Sequence, residues 1–293
     1  MKILQDRYPM GSIKSQKTPG RYIDGTLHEN LKVLARNITK DMTYLGIITS
    51  STLEVGTGKS VFAQQMAEAY LELVREYHKI DNRLTMQNIT FHPKDLIERS
   101  FKIPKYSVVI LDEWEDTNYW SQLGISLRQF FRKCRQLNLF MIIIIPNFFQ
   151  LPSSYAISRS VFLVDVKFEG EFDRGYFSFY NFNTKRSLYI RGKKTQDYNV
   201  VKSNFYGRFA DGYVVDEQEY RTAKLKDLTD QEDKANKAID PLQIRREIFR
   251  EMKEALKGRL TVEELAKVFK IHERTAYKWL DATKDQEPES KDE

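Results

Sequence analysis

The residues with the most specific chemistry form a short glycine-rich run, Gly56-Thr57-Gly58-Lys59-Ser60. The run follows an apolar segment predicted to be a strand, Tyr44–Thr49, and it opens a helix predicted over residues 59–77. Glycines let the backbone curl so that successive N–H groups face phosphate oxygens, and the helix start adds its own N–H groups and positive dipole end. Lys59 would reach the β- and γ-phosphates of ATP, and the Ser60 hydroxyl would bind Mg²⁺. The candidate nucleotide-binding residues are Gly56, Thr57, Gly58, Lys59, Ser60 and Val61.

The run departs in one place from the usual G-x-x-x-x-G-K-[ST] pattern, because Leu53 stands where the first glycine belongs. Either the turn begins differently, with Ser50 or Ser51, or the loop binds phosphate more weakly. The alternative to a phosphate loop is a chance match in a surface turn. The predicted strand and helix, together with a second motif downstream, favour the phosphate loop.

The second motif is an apolar strand predicted over residues 107–111 that ends in Asp112 and Glu113. In a phosphate-loop ATPase the first carboxylate holds the hydration shell of Mg²⁺, and the second orients and activates the attacking water. Mg²⁺ prefers hard oxygen ligands and keeps several waters, so that Ser60 and Asp112 would be sufficient protein ligands. The alternative is a buried strand that simply stops at a polar turn.

The elements that must position these residues follow an α/β pattern. Short apolar runs alternate with helical patterns over residues 26–215, which predicts a parallel sheet flanked by helices. Further strands are predicted at residues 139–145 and 161–166, and a helix at residues 123–137. Residues 175–180 and 186–191, around Asn183-Thr184, are predicted to form a terminal hairpin.

The rest of the chain differs in composition from this predicted ATPase domain. Residues 1–25 are polar and basic with Pro and Gly breakers, which indicates a flexible arm. Residues 216–239 are densely charged and indicate a solvated helical linker, residues 240–281 a small all-α module, and residues 282–293 a disordered acidic tail.

The order of strand, loop, helix, acidic strand and further strand resembles the additional-strand catalytic-glutamate class of phosphate-loop ATPases. Residues 139–147, followed by Gln150-Leu151-Pro152, resemble the strand and sensor loop of the FtsK/HerA pumping ATPases. That superfamily includes conjugative coupling proteins and zonula-occludens-toxin-like phage assembly ATPases. The resemblance covers residues 40–190 and implies a RecA-like fold. It also places Asn147 where the family has a polar residue, usually glutamine, that contacts the γ-phosphate.

The same resemblance implies a homo-oligomer, such as a hexameric ring, in which an arginine of one subunit reaches the γ-phosphate bound by the next. Such a cation stabilises the charge that spreads over the transition state. The helix before the third strand carries Arg128, Arg132, Lys133 and Arg135, of which Arg132 and Arg135 are the candidates. The alternative is a basic helix face that is only solvated.

Residues 240–281 contain the signals of three helices. Asp240-Pro241 is a typical helix start, Gly258 a typical end, and Thr261-Val262-Glu263-Glu264 a capping box. Residues 260–280 resemble the helix-turn-helix of resolvase-type and transposon-encoded DNA binders, with Lys270 where glycine is usual in the turn. The resemblance implies that the last helix enters the major groove of double-stranded DNA. The DNA-facing residues would then be His272, Glu273, Arg274, Tyr277 and Lys278. The alternative is a module for oligomerisation or protein docking.

Composition sets outer limits on function. A net charge of +6 permits nucleic-acid binding without establishing it. The sequence has one cysteine, four scattered histidines without ligand spacing, no apolar run of the ~20 residues that a spanning helix requires, and no signal-peptide pattern at its start. These features predict a cytoplasmic protein without stable membrane insertion, in the host cytoplasm if the source is viral.

The favoured hypothesis is an ATPase that couples hydrolysis to translocation, packaging or partition of DNA for a virus, plasmid or mobile element. One alternative is an assembly or secretion ATPase of the zonula-occludens-toxin-like type. Another is an ATP-gated DNA-binding regulator that turns over little ATP.

Overall fold

A seven-stranded sheet organises the first of the two units into which the chain divides, residues 1–227 and 228–293. The structure is a computed structural model that describes residues 2–4, 22–52, 56–114, 122–169, 173–237, 241–256 and 259–281. The predicted helix signals at Asp240 and Gly258, the acidic tail, Leu53 and most of the predicted basic arm lie outside the described residues. Within that arm, β1 (Lys2–Leu4) and β2 (Tyr22–Asp24) form a separate parallel pair.

The strands of the large sheet are mostly parallel, as the sequence predicts. In chain order they are β3 (Tyr44–Thr49), β4 (Ile89–Thr90), β5 (Val108–Leu111), β6 (Phe140–Ile144), β7 (Phe162–Glu169), β8 (Asp173–Asn181) and β9 (Phe205–Arg208). Their spatial order is β4-β5-β6-β3-β7-β8-β9, with β8 and β9 antiparallel to their neighbours. The strand that precedes the glycine-rich loop, β3, is therefore central, and β6 separates it from the acidic strand β5.

Within the described residues, six α-helices belong to this unit in whole or in part. They are α1 (Gly25–Asn37), α2 (Lys59–His78), α3 (Pro93–Lys102), α4 (Gln122–Lys133), α5 (Phe182–Gly192) and α6 (Glu217–Lys237). The division between the two units falls inside α6, between Asp227 and Leu228. Of the described residues, none belongs to a helix long and apolar enough to cross a membrane.

Helices cover both faces of the sheet, which explains the nearly continuous apolar runs of its parallel strands. Successive residues of β6 belong to different layers: Ile142 packs in a cluster with residues of α1 and α2, whereas Ile143 packs in a cluster with residues of α3, α4 and α5. Both isoleucines are almost completely buried. The predicted α/β fold class is confirmed: the sheet is mostly parallel and flanked by helices, which is consistent with a RecA-like fold.

The predicted terminal hairpin is wrong in its second half, because residues 182–192 form α5 instead of a strand. Asn181 caps this helix by accepting a hydrogen bond of 3.0 Å from Thr184 N. Lys185, Leu188, Tyr189 and Gly192 are buried at helical spacing. The Asn-Thr pair, taken as a hairpin turn in the sequence, thus opens a helix, and β8 pairs with β7 and β9 instead.

In the part of the second unit that the structure describes, three helices follow α6: α7 (Pro241–Ala255), α8 (Val262–Phe269) and α9 (Glu273–Asp281). Their shared core consists of Phe249, Leu265, Ala266, Ala276 and Trp279. Three basic side chains of α7 donate to backbone carbonyls near the ends of α8 and α9, namely Arg245 to Phe269, Arg250 to Trp279 and Lys253 to Leu260. Much of the positive charge of α7 therefore holds this unit together.

Candidate nucleotide-binding site

The glycine-rich loop connects the carboxyl end of β3 to the start of α2. Gly56 and Gly58 have φ values of 85° and 95°, a region that residues with a side chain rarely adopt. Gly58 is the residue that caps α2, and a Cβ built on it would lie 3.1 Å from the Phe209 ring. A residue with a Cβ would therefore be strained at both positions, and at position 58 it would also crowd the Phe209 ring.

Thr57, between these glycines, has a side chain suited to a ligand. It is 1% exposed, and its hydroxyl has no hydrogen-bond partner within the part of the chain that the structure describes. A buried hydroxyl that lacks a partner costs about 1–3 kcal/mol. A phosphate oxygen held by the loop would remove that cost, so the residues present fit an anionic group.

The loop and the acidic strand meet at one hydrogen bond. Ser60, in the first turn of α2, donates through Oγ to Asp112 Oδ1 at 3.1 Å. Asp112 follows β5 and is 2% exposed. The second oxygen of this carboxylate, Oδ2, accepts from the Tyr220 hydroxyl. Serine and aspartate oxygens are the hard donors that Mg²⁺ prefers, so this pair fits the predicted metal position.

Glu113 occupies an unusual backbone conformation next to this pair. Its φ is 70°, and a left-handed residue other than glycine costs about 1–3 kcal/mol. Two backbone bonds hold the flanking residues in place: Asp112 N donates to Thr90 O at 2.8 Å, and Trp114 N donates to Ile144 O at 2.9 Å. In this conformation the Glu113 side chain is about half exposed and its carboxylate contacts the Lys224 ammonium.

Three carboxylates act on the charge of the Lys59 ammonium. Burial lowers the pKa of Lys59, whereas the charges of Glu113, Asp112 and Asp165 act to raise it. Lys224 adds a second cation, which further lowers the pKa of Lys59. The structure thus brings together Lys59, Ser60, Asp112 and Glu113, as the sequence predicts. Val61, the last predicted loop residue, packs its side chain in the core.

Asp165 on β7 is a site residue that the sequence reasoning missed. It is 3% exposed and accepts a hydrogen bond of 2.7 Å from Ser51 N. Burial raises the pKa of Asp165, against the opposing effects of the Ser51 hydrogen bonds and of Lys167 and Lys59. The carboxylate anchors the start of the loop at the position of the predicted alternative turn. An acidic residue inside the otherwise apolar stretch of residues 161–166 was the available signal.

Tyr220 and Lys224 on α6 were also missed, because they lie in the segment predicted to be a solvated linker. Tyr220 is 3% exposed; burial and the charge of Asp112 raise its pKa, so its hydroxyl remains protonated and donates. Lys224 Nζ lies 2.8 Å from Glu113 Oε2. Burial lowers the pKa of Lys224, but Asp112 and Glu113 outweigh this effect and raise it. A charged helix gives no sequence signal for such contacts.

Asn147, the predicted sensor, follows the carboxyl end of β6. Both the nitrogen and the oxygen of its side-chain amide already form hydrogen bonds within the chain. Nδ2 donates to Gln196 Oε1 at 2.7 Å, and Oδ1 accepts from Phe149 N at 2.9 Å. The side chain is 8% exposed. Nearby, a cleft is lined by residues that include Trp114, Asn147 and Tyr155, and by none of the glycine-rich loop. In this arrangement Asn147 builds the turn after β6.

The predicted arginines lie at the amino ends of the parallel strands, opposite to the carboxyl ends where the glycine-rich loop lies. Arg132 and Arg135 are exposed near the end of α4, and Arg135 Nε donates to Asp41 O at 2.8 Å. Asp41 precedes the amino end of β3, whereas the glycine-rich loop follows its carboxyl end. The structure therefore does not bring these arginines to the Lys59 site of their own chain.

In the second unit, the predicted DNA-facing residues share an exposed surface. His272, Glu273, Arg274, Tyr277 and Lys278 are all exposed, while Ala276 and Trp279 of the same helix are buried. The Tyr277 hydroxyl donates to Glu263 Oε1 at 2.9 Å, which ties α9 to α8. Lys270 has the left-handed conformation, with φ 52° and ψ 47°, that explains why glycine is usual in such a turn.

Comparisons with known proteins add little to this geometry. No protein-family model matches the chain, and no curated protein matches it. The crystal structure of the DnaC helicase loader is similar at 20% identity over 44% of this chain and 71% of that chain, with a TM-score of 0.25. A TM-score that low carries no argument. The mostly parallel sheet and the site described above fit a phosphate-loop NTPase.

Proposed function

We propose that this chain binds ATP together with Mg²⁺ and hydrolyses it. The observation that carries the proposal is the hydrogen bond between Ser60 Oγ and Asp112 Oδ1, whose residues are 52 positions apart in the sequence. A glycine-rich surface turn that matched the pattern by chance would have no reason to meet the acidic end of a separate strand. In a phosphate-loop ATPase, the two motifs must meet because they share one metal ion.

Each residue of the site has a role that follows from its chemistry. The N–H groups of the loop and the Lys59 ammonium would hold the phosphates, with Thr57 Oγ1 available as a further donor. Ser60 and Asp112 would hold Mg²⁺, which neutralises phosphate charge when it is bound. Glu113 would orient the attacking water and accept its proton. Asp165 positions the start of the loop through Ser51.

ATP binding is tested by calorimetry on the full chain with Lys59→Ala. Removal of a charged hydrogen-bond donor costs about 1.5–3 kcal/mol, so ATP affinity is expected to fall roughly tenfold to hundredfold. Lys102→Ala, at an exposed position on α3, is the matched control and should bind ATP as the unaltered chain does. Equal affinity of the Lys59 variant and its control would remove the basis of the proposal.

Hydrolysis is tested by Glu113→Gln, which keeps the shape of the side chain but removes the base. Loss of a general base lowers kcat by roughly 10²–10⁴-fold, with ATP binding retained. Glu98→Gln on α3, whose carboxylate pairs only loosely with Lys94 at 3.9 Å, should have little effect. Similar turnover by Glu113→Gln and the unaltered chain would show that another group activates the water.

We further propose that hydrolysis serves work on double-stranded DNA, such as translocation, packaging or partition in a virus, plasmid or mobile element. Support comes from the exposed face of α9, where Arg274 and Lys278 stand beside Tyr277, and from the sequence resemblance of residues 260–280 to helix-turn-helix modules. On that model, Arg274 reads a base edge and Lys278 neutralises a phosphate.

The DNA proposal is tested on the full chain by fluorescence anisotropy over a range of salt concentrations. Lys278→Ala should weaken binding to all sequences and reduce the salt slope by about one. Glu247→Gln on α7 provides an exposed control that removes a charge of the other sign. Strong stimulation of ATPase by DNA supports the motor. Tight ATP-dependent DNA binding with negligible ATP turnover indicates the regulator. ATP turnover that DNA does not change, by a chain that does not bind DNA, indicates the assembly ATPase.

A ring-shaped homo-oligomer with Arg132 or Arg135 acting on the neighbouring subunit also remains a prediction. Both side chains are exposed, as a contact between subunits requires. In mixtures of Lys59→Ala with an Arg132→Ala, Arg135→Ala double variant, an arginine that acts between subunits would produce turnover that neither variant shows alone. Mixtures that remain inactive would exclude this role.

A further inference from the structure

Lys224 lies beside the two carboxylates that the proposed ATPase chemistry uses. Its Nζ is 2.8 Å from Glu113 Oε2 and 3.8 Å from Asp112 Oδ1, and its side chain is 27% exposed. A surface lysine normally keeps its ammonium in bulk water. Here the ammonium is instead held over the acidic end of β5.

Tyr220 fixes the part of α6 that carries Lys224. Its hydroxyl donates to Asp112 Oδ2, and its ring packs against Tyr213 and Phe91 at centroid distances of 4.8 and 5.7 Å. Lys224 follows four residues later and therefore lies on the same face of the helix. The lysine is thus placed by a buried neighbour one turn away, which limits the freedom of its side chain.

The place of the terminal phosphate follows from the proposed function, on which this inference rests. That phosphate must lie within reach of Lys59 on one side and within one water of Glu113 on the other. Because Lys224 already contacts Glu113, its ammonium lies within a few ångströms of the same space. A phosphate carries more negative charge than a carboxylate and therefore competes for this ammonium.

We infer that Lys224 is a catalytic cation, supplied by the same chain, whose ammonium contacts the terminal phosphate of ATP and stabilises the negative charge of the transition state. Fixed positive charge aimed at developing negative charge is commonly among the largest contributions to catalysis. The chain itself thereby supplies a cation to the terminal phosphate, a role that the family resemblance implied for an arginine of a neighbouring subunit. Contact with the phosphate also releases Glu113 from its ion pair.

The test uses the full chain with Lys224→Ala and Lys224→Arg, and Lys226→Ala as the control at an exposed position of the same helix. Steady-state turnover is measured together with calorimetric affinities for ADP and for ADP with aluminium fluoride, both with Mg²⁺. Aluminium fluoride stands in for the phosphoryl group in the transition state. Circular dichroism and retained ADP binding establish that each variant is folded.

In Lys224→Ala, kcat and the affinity for ADP with aluminium fluoride should each fall at least about tenfold, while ADP affinity changes less than about twofold. Lys224→Arg should restore part of both losses, and Lys226→Ala should show neither. If Lys224 only neutralises Glu113, Lys224→Ala instead raises kcat, and this result overturns the inference. Unchanged affinity for ADP with aluminium fluoride also overturns it.

Failure of this inference differs visibly from failure of the proposed function. An unaltered chain that neither binds nor hydrolyses ATP refutes the ATPase itself. An unaltered chain whose turnover depends on Lys59 but survives Lys224→Ala refutes only the role of Lys224. Should Lys224→Ala fail to fold, Lys224→Gln, which keeps most of the length and a polar end of the side chain, is measured in the same way and with the same expected losses.

Discussion

The glycine-rich loop and the two ends of α8 differ in which residues adopt the left-handed conformation and in whether their polar groups are hydrogen-bonded. In the loop, glycines occupy the left-handed positions, yet the buried hydroxyl of Thr57 lacks a partner among the described residues. At α8, Lys270 after the last turn accepts the left-handed conformation, while Thr261 and Glu264 at the start of the helix bond reciprocally to each other's backbone. On the proposed function a bound phosphate completes the first region, whereas the second is complete by itself.

The largest expected effect comes from breaking the backbone of the loop with Gly58→Ala. At φ 95° an alanine is strained, and its methyl group would lie 3.1 Å from the Phe209 ring. We expect a loss of stability of about 1–2 kcal/mol and a large fall in ATP affinity. The matched change in the other region, Lys270→Ala, keeps a side chain at an already left-handed residue and should cost little.

Urea unfolding and calorimetric ATP titration of both variants measure this difference. Equal stability of Gly58→Ala and the unaltered chain would mean that the left-handed conformation is not required there. The two regions would then not differ in their need for glycine at a left-handed position.

A smaller effect is expected from removal of the threonine hydroxyls. Thr57→Val deletes a buried hydroxyl that has no partner among the described residues, so the free protein should gain stability or stay unchanged, while ATP affinity falls several-fold. Thr261→Ala deletes a helix cap and should destabilise the second unit by about 1 kcal/mol, with no effect on ATP affinity.

Thermal unfolding with and without Mg-ATP separates these outcomes. Because a ligand that binds more tightly stabilises the folded state more at the same concentration, Mg-ATP should raise the Tm of Thr57→Val less than that of the unaltered chain. Destabilisation of the ligand-free Thr57→Val variant would instead indicate that this hydroxyl already serves the folded protein.

The smallest effect is predicted for Lys270→Gly. Glycine relieves the left-handed strain of about 1–2 kcal/mol but loses more entropy on folding, so a net gain of up to about 1 kcal/mol is expected. Unfolding of the second unit, followed by the fluorescence of the buried Trp279 in a background without the other tryptophans, measures the gain. A loss of stability would show that the Lys270 side chain makes contacts that outweigh its backbone strain.

Local sequence signals predicted the parts of this protein that depend on neighbours in the chain. The strand Tyr44–Thr49, the start of α2 at Lys59 and the capping box of α8 all lie where the sequence placed them. The error at α5 has the same origin, because hairpin turns and helix starts use the same polar residues: Asn183-Thr184 matches a turn, whereas Asn181 two residues earlier caps a helix. Only packing, which buries Lys185 and Leu188 at helical spacing, separates the two.

The sequence by itself determined which residues the proposed phosphate loop has, because the glycines, the lysine and the hydroxyl lie within five consecutive residues. It also determined that a carboxylate pair follows an apolar strand. Only the tertiary structure decided which distant groups complete the site. Asp165 reaches Ser51 from β7, and Tyr220 and Lys224 reach Asp112 and Glu113 from α6. Contacts between residues more than a hundred positions apart depend on strand order and on helix packing, and neither leaves a periodic signal in the chain.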